Sequence, residues 1–229
     1  LLDLRFFRSL PFSSATVMAV SMFASLGAFL FLGSIYLQEV RGLSAFHTGL
    51  CLLPMAAAVM IVSPLSGRLV GARGARPSLL ISGSMLSLSA LLLTRLAADT
   101  PLPQLLLIFC VFGIGFGMVN APVTYAAVSG MPRAQAGLAA AIASTSRQVG
   151  TALGVALAGA VVGGKQSWSG EGAWAAYPAA THTVWWILCG CGVLIFALGL
   201  LSTGGWARRS AERIAHLLQE PAQGPGAAA

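Results

Sequence analysis

Within the run AIASTSRQVGTALGVALAG, residues 141–159, Arg147 and Gln148 stand among alanine, valine, leucine and glycine. A guanidinium in apolar surroundings is costly without an acceptor, an anion or water, and so marks a site by default. Residues three and four apart share a helix face. On that spacing Ala140, Ser144, Arg147, Thr151, Gly154 and Ala158 form one stripe, small or polar throughout, opposite Leu138, Ile142, Val149 and Leu153. The run before it repeats the pattern, because Gly113, Gly117, Asn120 and Thr124 also share a face. Hydroxyls, amides and one cation can bind and orient a ligand, but they include no nucleophile beside a base.

Two readings of Arg147 stand. It lies about ten residues into its span, roughly 15 Å at 1.5 Å per residue, so its stem could carry the charge to the interface or to a neighbour's carbonyls. Alternatively it lines a cavity, where it meets an anionic substrate group, a carboxylate of another segment or a gating contact. Gln148, Ser144, Thr151, Asn120, Thr124 and Tyr36 are then the candidate cavity residues. Gly113 and Gly117 form a small-xxx-small pair suited to helix packing, and Pro122 removes a backbone hydrogen bond and bends its helix.

Other chemistry is absent by residue type. The acids Asp3, Glu39, Asp99, Glu171, Glu212 and Glu220 fall at span ends, in loops or in the tail, and His47, His182 and His216 lie at the margins. No proton carrier of the usual intramembrane kind is therefore visible. Cys51, Cys110, Cys189 and Cys191 sit inside apolar runs and read as small hydrophobes, with no metal-ligand spacing. The chain has no G-x-S-G and no P-loop, Asn120-Ala121-Pro122 reverses the order of a water-channel motif, and GIGFG at 113–117 is no dinucleotide fingerprint. Neither an enzyme nor a cofactor is expected.

Composition sets the elements that position these groups. Hydrophobic types make up 57% and charged types 8% of 229 residues, and the mean hydropathy is +0.84. A soluble domain carries about 25% charged residues, so the expected class is an all-α integral membrane protein. Six apolar runs are long enough to cross a bilayer, at 15–37, 48–70, 78–97, 104–129, 137–163 and 184–206, followed by a polar tail, 207–229, whose end has no reason to fold. Of 13 Lys and Arg, nine fall at one set of span ends, three (Arg41, Arg95 and Lys165) at the other, and Arg147 lies inside a span. That asymmetry places both termini in the cytoplasm. The net charge of +7 flanks apolar runs rather than forming one patch, so no nucleic-acid partner is expected. Trp168, Trp174, Tyr177, Trp185 and Trp186 gather at the opposite side, as an interfacial aromatic belt or a ligand platform.

The stretch GRLVGARGARP, 67–77, joins the second and third spans. It resembles the G-x-L-a-D-r-x-G-r-k loop of the major facilitator superfamily, with Gly67, Leu69, Gly74 and Arg76 at matching places and Gly71, Ala72 and Ala75 departing from it. Gly71 in place of the motif's Asp leaves this copy without the carboxylate of a charge-relay gate. YLQEVRGLSAFHTGLCLLP (36–54), GIGFGMVNAP (113–122) and RQVGTALGVALAG (147–159) resemble, in order, the second half of fourteen-span drug:proton antiporters.

The resemblance implies a six-helix bundle that is one half of a facilitator-type fold, working against a missing N-terminal half. It implies that spans one, two, four and five line a cavity while three and six pack outside. It also implies export of a small amphipathic substrate, proton coupling supplied mainly by the absent half, and residence in a bacterial inner membrane. The chain begins at Leu1 without an initiator Met, as a piece of a longer protein or a processed one would. A different expectation is a truncated membrane protein that transports nothing and acts by helix–helix contact.

Overall fold

Apolar runs of this length become helices because a backbone surrounded by lipid or apolar side chains must satisfy its polar groups internally. The computed structural model describes residues 10–128, 136–165 and 173–201. The tail 207–229, the end of the sixth run, Arg5, Arg8, Arg133, Arg208, Arg209, Arg213 and Trp168 lie outside those residues. Six long helices run in order: α1 (Leu10–Ile35), α2 (Ala45–Arg73), α3 (Ala75–Leu93), α4 (Leu102–Val128), α5 (Ala136–Lys165) and α6 (Tyr177–Leu201). A π-helical turn, Tyr36–Val40, extends α1, and a 3-10 turn, Ala173–Ala176, precedes α6. No strand occurs among the described residues. Five of the helices are long and apolar enough to cross a membrane. The sixth, α5, has 30 residues and carries Arg147 and Gln148.

Helices α1 and α4 pack together at the centre, with α5 laid along α1 and α2 along α4. Helix α3 contacts α4 and α6, and α6 closes back on α1. Phe29 of α1 anchors the core, stacked on Phe112 at 4.0 Å and edge-on to Phe109 at 5.0 Å. Met18, Met22 and Leu32 are buried around it.

Missing side chains let the helices approach. A Cβ on Gly113 would lie 2.5 Å from the Met55 carbonyl oxygen of α2, and one on Gly83 2.6 Å from the Phe196 nitrogen of α6. On α5, a Cβ on Gly150 would lie 2.6 Å from the Val20 carbonyl oxygen of α1. Hydroxyls add a second kind of contact. Ser82 donates to the Gly115 carbonyl at 2.7 Å and Ser89 to that of Ile108 at 3.3 Å, both from α3 to α4. The Met118 carbonyl of α4 would ordinarily accept from residue 122, but Pro122 has no N–H. Ser66 of α2 and Ser78 of α3 reach it instead, at 2.8 and 2.7 Å, and stand 2.6 Å from each other. Two hydroxyl protons serve these three contacts. They tie three helices at the bend-prone point of α4.

Several expectations are corrected. The stretch 67–77 is not a loop: α2 runs through Pro54 and Pro64 to Arg73, and α3 starts at Ala75. Only Gly74, at φ 81° and ψ 177°, turns the chain. That region is open to glycine almost alone, so Gly74→Ala should cost about 1–3 kcal/mol, read as a lower midpoint of thermal unfolding in detergent. Helix α6 begins at Tyr177, ahead of the apolar run at 184, because Thr181 and His182 continue a helix without raising hydropathy. The aromatic belt is partly core. Tyr177 and Trp185 are fully buried, and the Tyr177 hydroxyl donates to the Leu32 carbonyl at 2.8 Å, while Trp186 is exposed.

Candidate functional site

Arg147 reaches sideways from α5. Its Cα stands within roughly 5 Å of the middle of α5, at 1.5 Å per residue. Nη2 donates to Thr124 Oγ1 of α4 at 2.8 Å, and Cζ stands over the Phe23 ring of α1 at 5.7 Å. Phe23 is held in turn by an edge contact with Phe116 of α4, centroids 5.3 Å apart. One cation on α5 thus contacts two other helices, α4 and α1. Nε is buried and has no hydrogen-bond partner.

The surrounding hydroxyls direct their protons elsewhere. Thr124 donates to the Asn120 carbonyl at 2.9 Å, Thr151 to that of Arg147 at 3.0 Å, and Ser146 to that of Ile142 at 2.8 Å. Asn120 Nδ2 donates to the Phe116 carbonyl at 3.1 Å. Such bonds to the preceding turn are the usual fate of Ser and Thr in apolar helices. They leave Thr124 a pure acceptor toward Arg147. No carboxylate neutralises the cation: the described residues hold only two acids, Glu39 and Asp99. Glu39 lies some 24 Å along α1 from Phe23 at helical rise.

An open groove of about 740 Å³ borders the arginine's acceptor. It runs between α2 and α4, lined by Ser63, Gly67, Val70, Gly71, Asn120 and Thr124 among others. A second groove, about 470 Å³, lies between α1 and α5 and holds Ser34, Gln38, Glu39 and Thr151.

The structure brings together Arg147, Thr124 and, through the first groove, Asn120. Thr151 joins them through the Arg147 backbone and also lines the second groove. Ser144 and Gln148 are exposed on the outer face of α5. Tyr36 is not with them. It is 1% exposed, and its hydroxyl donates to the Ala97 carbonyl at 2.6 Å, fastening the π-helical turn to the α3–α4 connection. Arg41 secures the same connection through the Thr100 carbonyl. Gly113 and Gly117 face α2, while Gly67 and Arg76 are exposed.

The α5 stripe is displaced from its expected position. The buried row is Ser146, Gly150, Gly154 and Ala158, with Ala140 and Ser144 exposed. A row stepping strictly by four is the ridge that fits a neighbouring helix, and the glycines on it admit α1. Arg147 and Thr151 flank that row instead of lying within it. Phe23, Ser63 and Tyr125 were missed in the sequence. Ser63, Gly67, Val70 and Gly71 share a face by spacing, a signal that was available. Nothing in one sequence points Phe23 at Arg147.

Six packed helices, most of them apolar enough to cross a membrane, with an arginine whose hydrogen-bond acceptor lines a groove, define a multi-pass membrane protein. The Major Facilitator Superfamily model matches residues 1–155, and the chain belongs to that family. It is 36% identical to multidrug resistance protein Stp of Mycobacterium tuberculosis over 71% of this chain and 30% of that protein. It is 32% identical to the tetracenomycin C resistance and export protein of Streptomyces glaucescens over 71% of this chain and 30% of that one. Puromycin resistance protein pur8 of Streptomyces alboniger is 37% identical over 63% of this chain and 29% of its own length. The matches cover about 30% of the first of these relatives.

Proposed function

We propose that the chain is the C-terminal six-helix half of an exporter that moves small amphipathic compounds by alternating access. The observation that carries this reading is the Arg147–Thr124–Phe23 contact beside the α2–α4 groove, within a family whose relatives are named for drug resistance and export. The exposed faces of α2 and α5 support a partner half. Leu53, Met60 and Ile61 of α2 and Leu153 of α5 are each more than half exposed. Arg68, Arg73 and Arg76 at the α2–α3 end favour a cytoplasmic location for that end and hence for both termini, in a bacterial inner membrane. With no intramembrane acid among the described residues, the proton-coupling groups belong to the other half. In the full-length transporter, Arg147→Ala at equal membrane level should slow proton-driven efflux of an anionic dye about tenfold, the weight of one charge-assisted hydrogen bond. Undiminished efflux removes Arg147 from the mechanism, and robust transport by the purified 229-residue chain refutes the half-transporter reading.

A further inference from the structure

Arg147 carries a positive charge that nothing described in the bundle neutralises. Phe23 covers its ring-facing side at 5.7 Å, and Thr124 accepts one bond at 2.8 Å with a hydroxyl that is itself neutral. Nε is sealed without a partner, whereas Nη1 makes no hydrogen bond among the described residues and is not one of the buried unpartnered atoms. Guanidinium N–H groups that the protein leaves unengaged are donors suited to a carboxylate, sulfonate or phosphate. The adjoining groove, about 740 Å³, is of a size for a drug-like molecule. Its walls supply apolar surface (Val70 and Ala121), small gaps (Gly67 and Gly71) and the amide of Asn120, but no acid. A lipophilic cation would meet like charge at Arg147 and no counter-charge on these walls.

Resting on the exporter reading, we propose that Arg147 receives an oxyanion of the transported compound, so that this half selects amphipathic anions over amphipathic cations. The apolar body lies along the α2–α4 groove, and the anionic head sits at the Thr124 end. Charge complementarity at one end and apolar burial along the rest leave the body of the substrate free to vary.

The test uses the full-length transporter in proteoliposomes with two dyes of one aromatic scaffold, an aryl sulfonate and its neutral sulfonamide. Arg147→Gln should raise the half-saturating sulfonate concentration about tenfold and leave the sulfonamide within about twofold. Arg147→Lys, which keeps a point charge, should fall between. Equal loss for both dyes overturns the inference and assigns Arg147 to a gate or to a carboxylate of the other half. No loss for either dye also overturns it. Wild-type transport of the sulfonamide but not the sulfonate overturns the anion preference while leaving the exporter reading intact. Transport of neither dye overturns both. Should Arg147→Gln fail to accumulate, competition on the wild type decides. Octyl sulfonate should inhibit dye efflux at about tenfold lower concentration than octyl sulfonamide, and equal inhibition overturns the proposal.

Discussion

Gly154→Ala should strip most of the full-length protein from the membrane fraction and lower the unfolding midpoint of what remains. A Cβ at that position would collide with the Ala24 carbonyl oxygen of α1, a rigid backbone atom with no flexible end to swing aside. The same seam is tight above and below. Gly150 stands against the Val20 carbonyl, and a Cβ on Gly27 would lie 2.5 Å from the Thr151 carbonyl oxygen. One methyl must therefore push α1 and α5 apart along several turns, forfeiting dispersion contacts that drive helix association where lipid offers no hydrophobic effect. Overpacking of this kind costs about 1–3 kcal/mol, and a leucine at the same place more. The separation also moves Phe23 away from Arg147, so the surviving protein should lose transport beyond its loss in amount. Gly163 has nothing within 4 Å of its would-be Cβ. Gly163→Ala is thus the control, expected to be neutral or to stabilise by up to about 1 kcal/mol through helix propensity. Equal thermal midpoints for Gly154→Ala and wild type would contradict the packing of this seam.

The second large effect concerns the Met118 carbonyl. Ser66→Ala or Ser78→Ala alone leaves one hydroxyl on that oxygen and should shift the unfolding midpoint little. The double variant strands a partly buried carbonyl at a cost of about 1–3 kcal/mol. Adding Pro122→Ala restores the N–H that α4 lacks there, so the double serine change should become nearly harmless in that background. A thermodynamic cycle over these variants isolates the coupling. Additive losses in the alanine-122 background would show that the serines act only by packing.

The helices were legible because bilayer-length apolar runs permit little else, and polar interruptions mark their ends. Legibility ended where hydropathy and helicity diverge. Tyr177 to Thr183 are helical without being strongly apolar, and the Arg68–Arg73 segment is helical despite its charge. Arg147, Thr124 and Asn120 stood out because polar groups in such runs are few enough to name. Tyr36 was misplaced by the same logic, since a tyrosine at a span end reads as cavity or interface until a carbonyl 61 residues away claims its hydroxyl.

By itself, the sequence determined the class of protein, six helices, the scarcity of acids and the lone interior cation, all of which depend on residue type and local period. Only the tertiary structure decided which face of α5 is buried, because the ridge meeting α1 depends on where the glycines of both helices coincide. It also decided that the Met118 carbonyl left unpaired by Pro122 is recaptured by serines from two other helices. Finally, it showed that Arg147 contacts Phe23 and Thr124 with no carboxylate beside it among the described residues. Each of these is a pairing between distant segments, and no period within one helix encodes its partner.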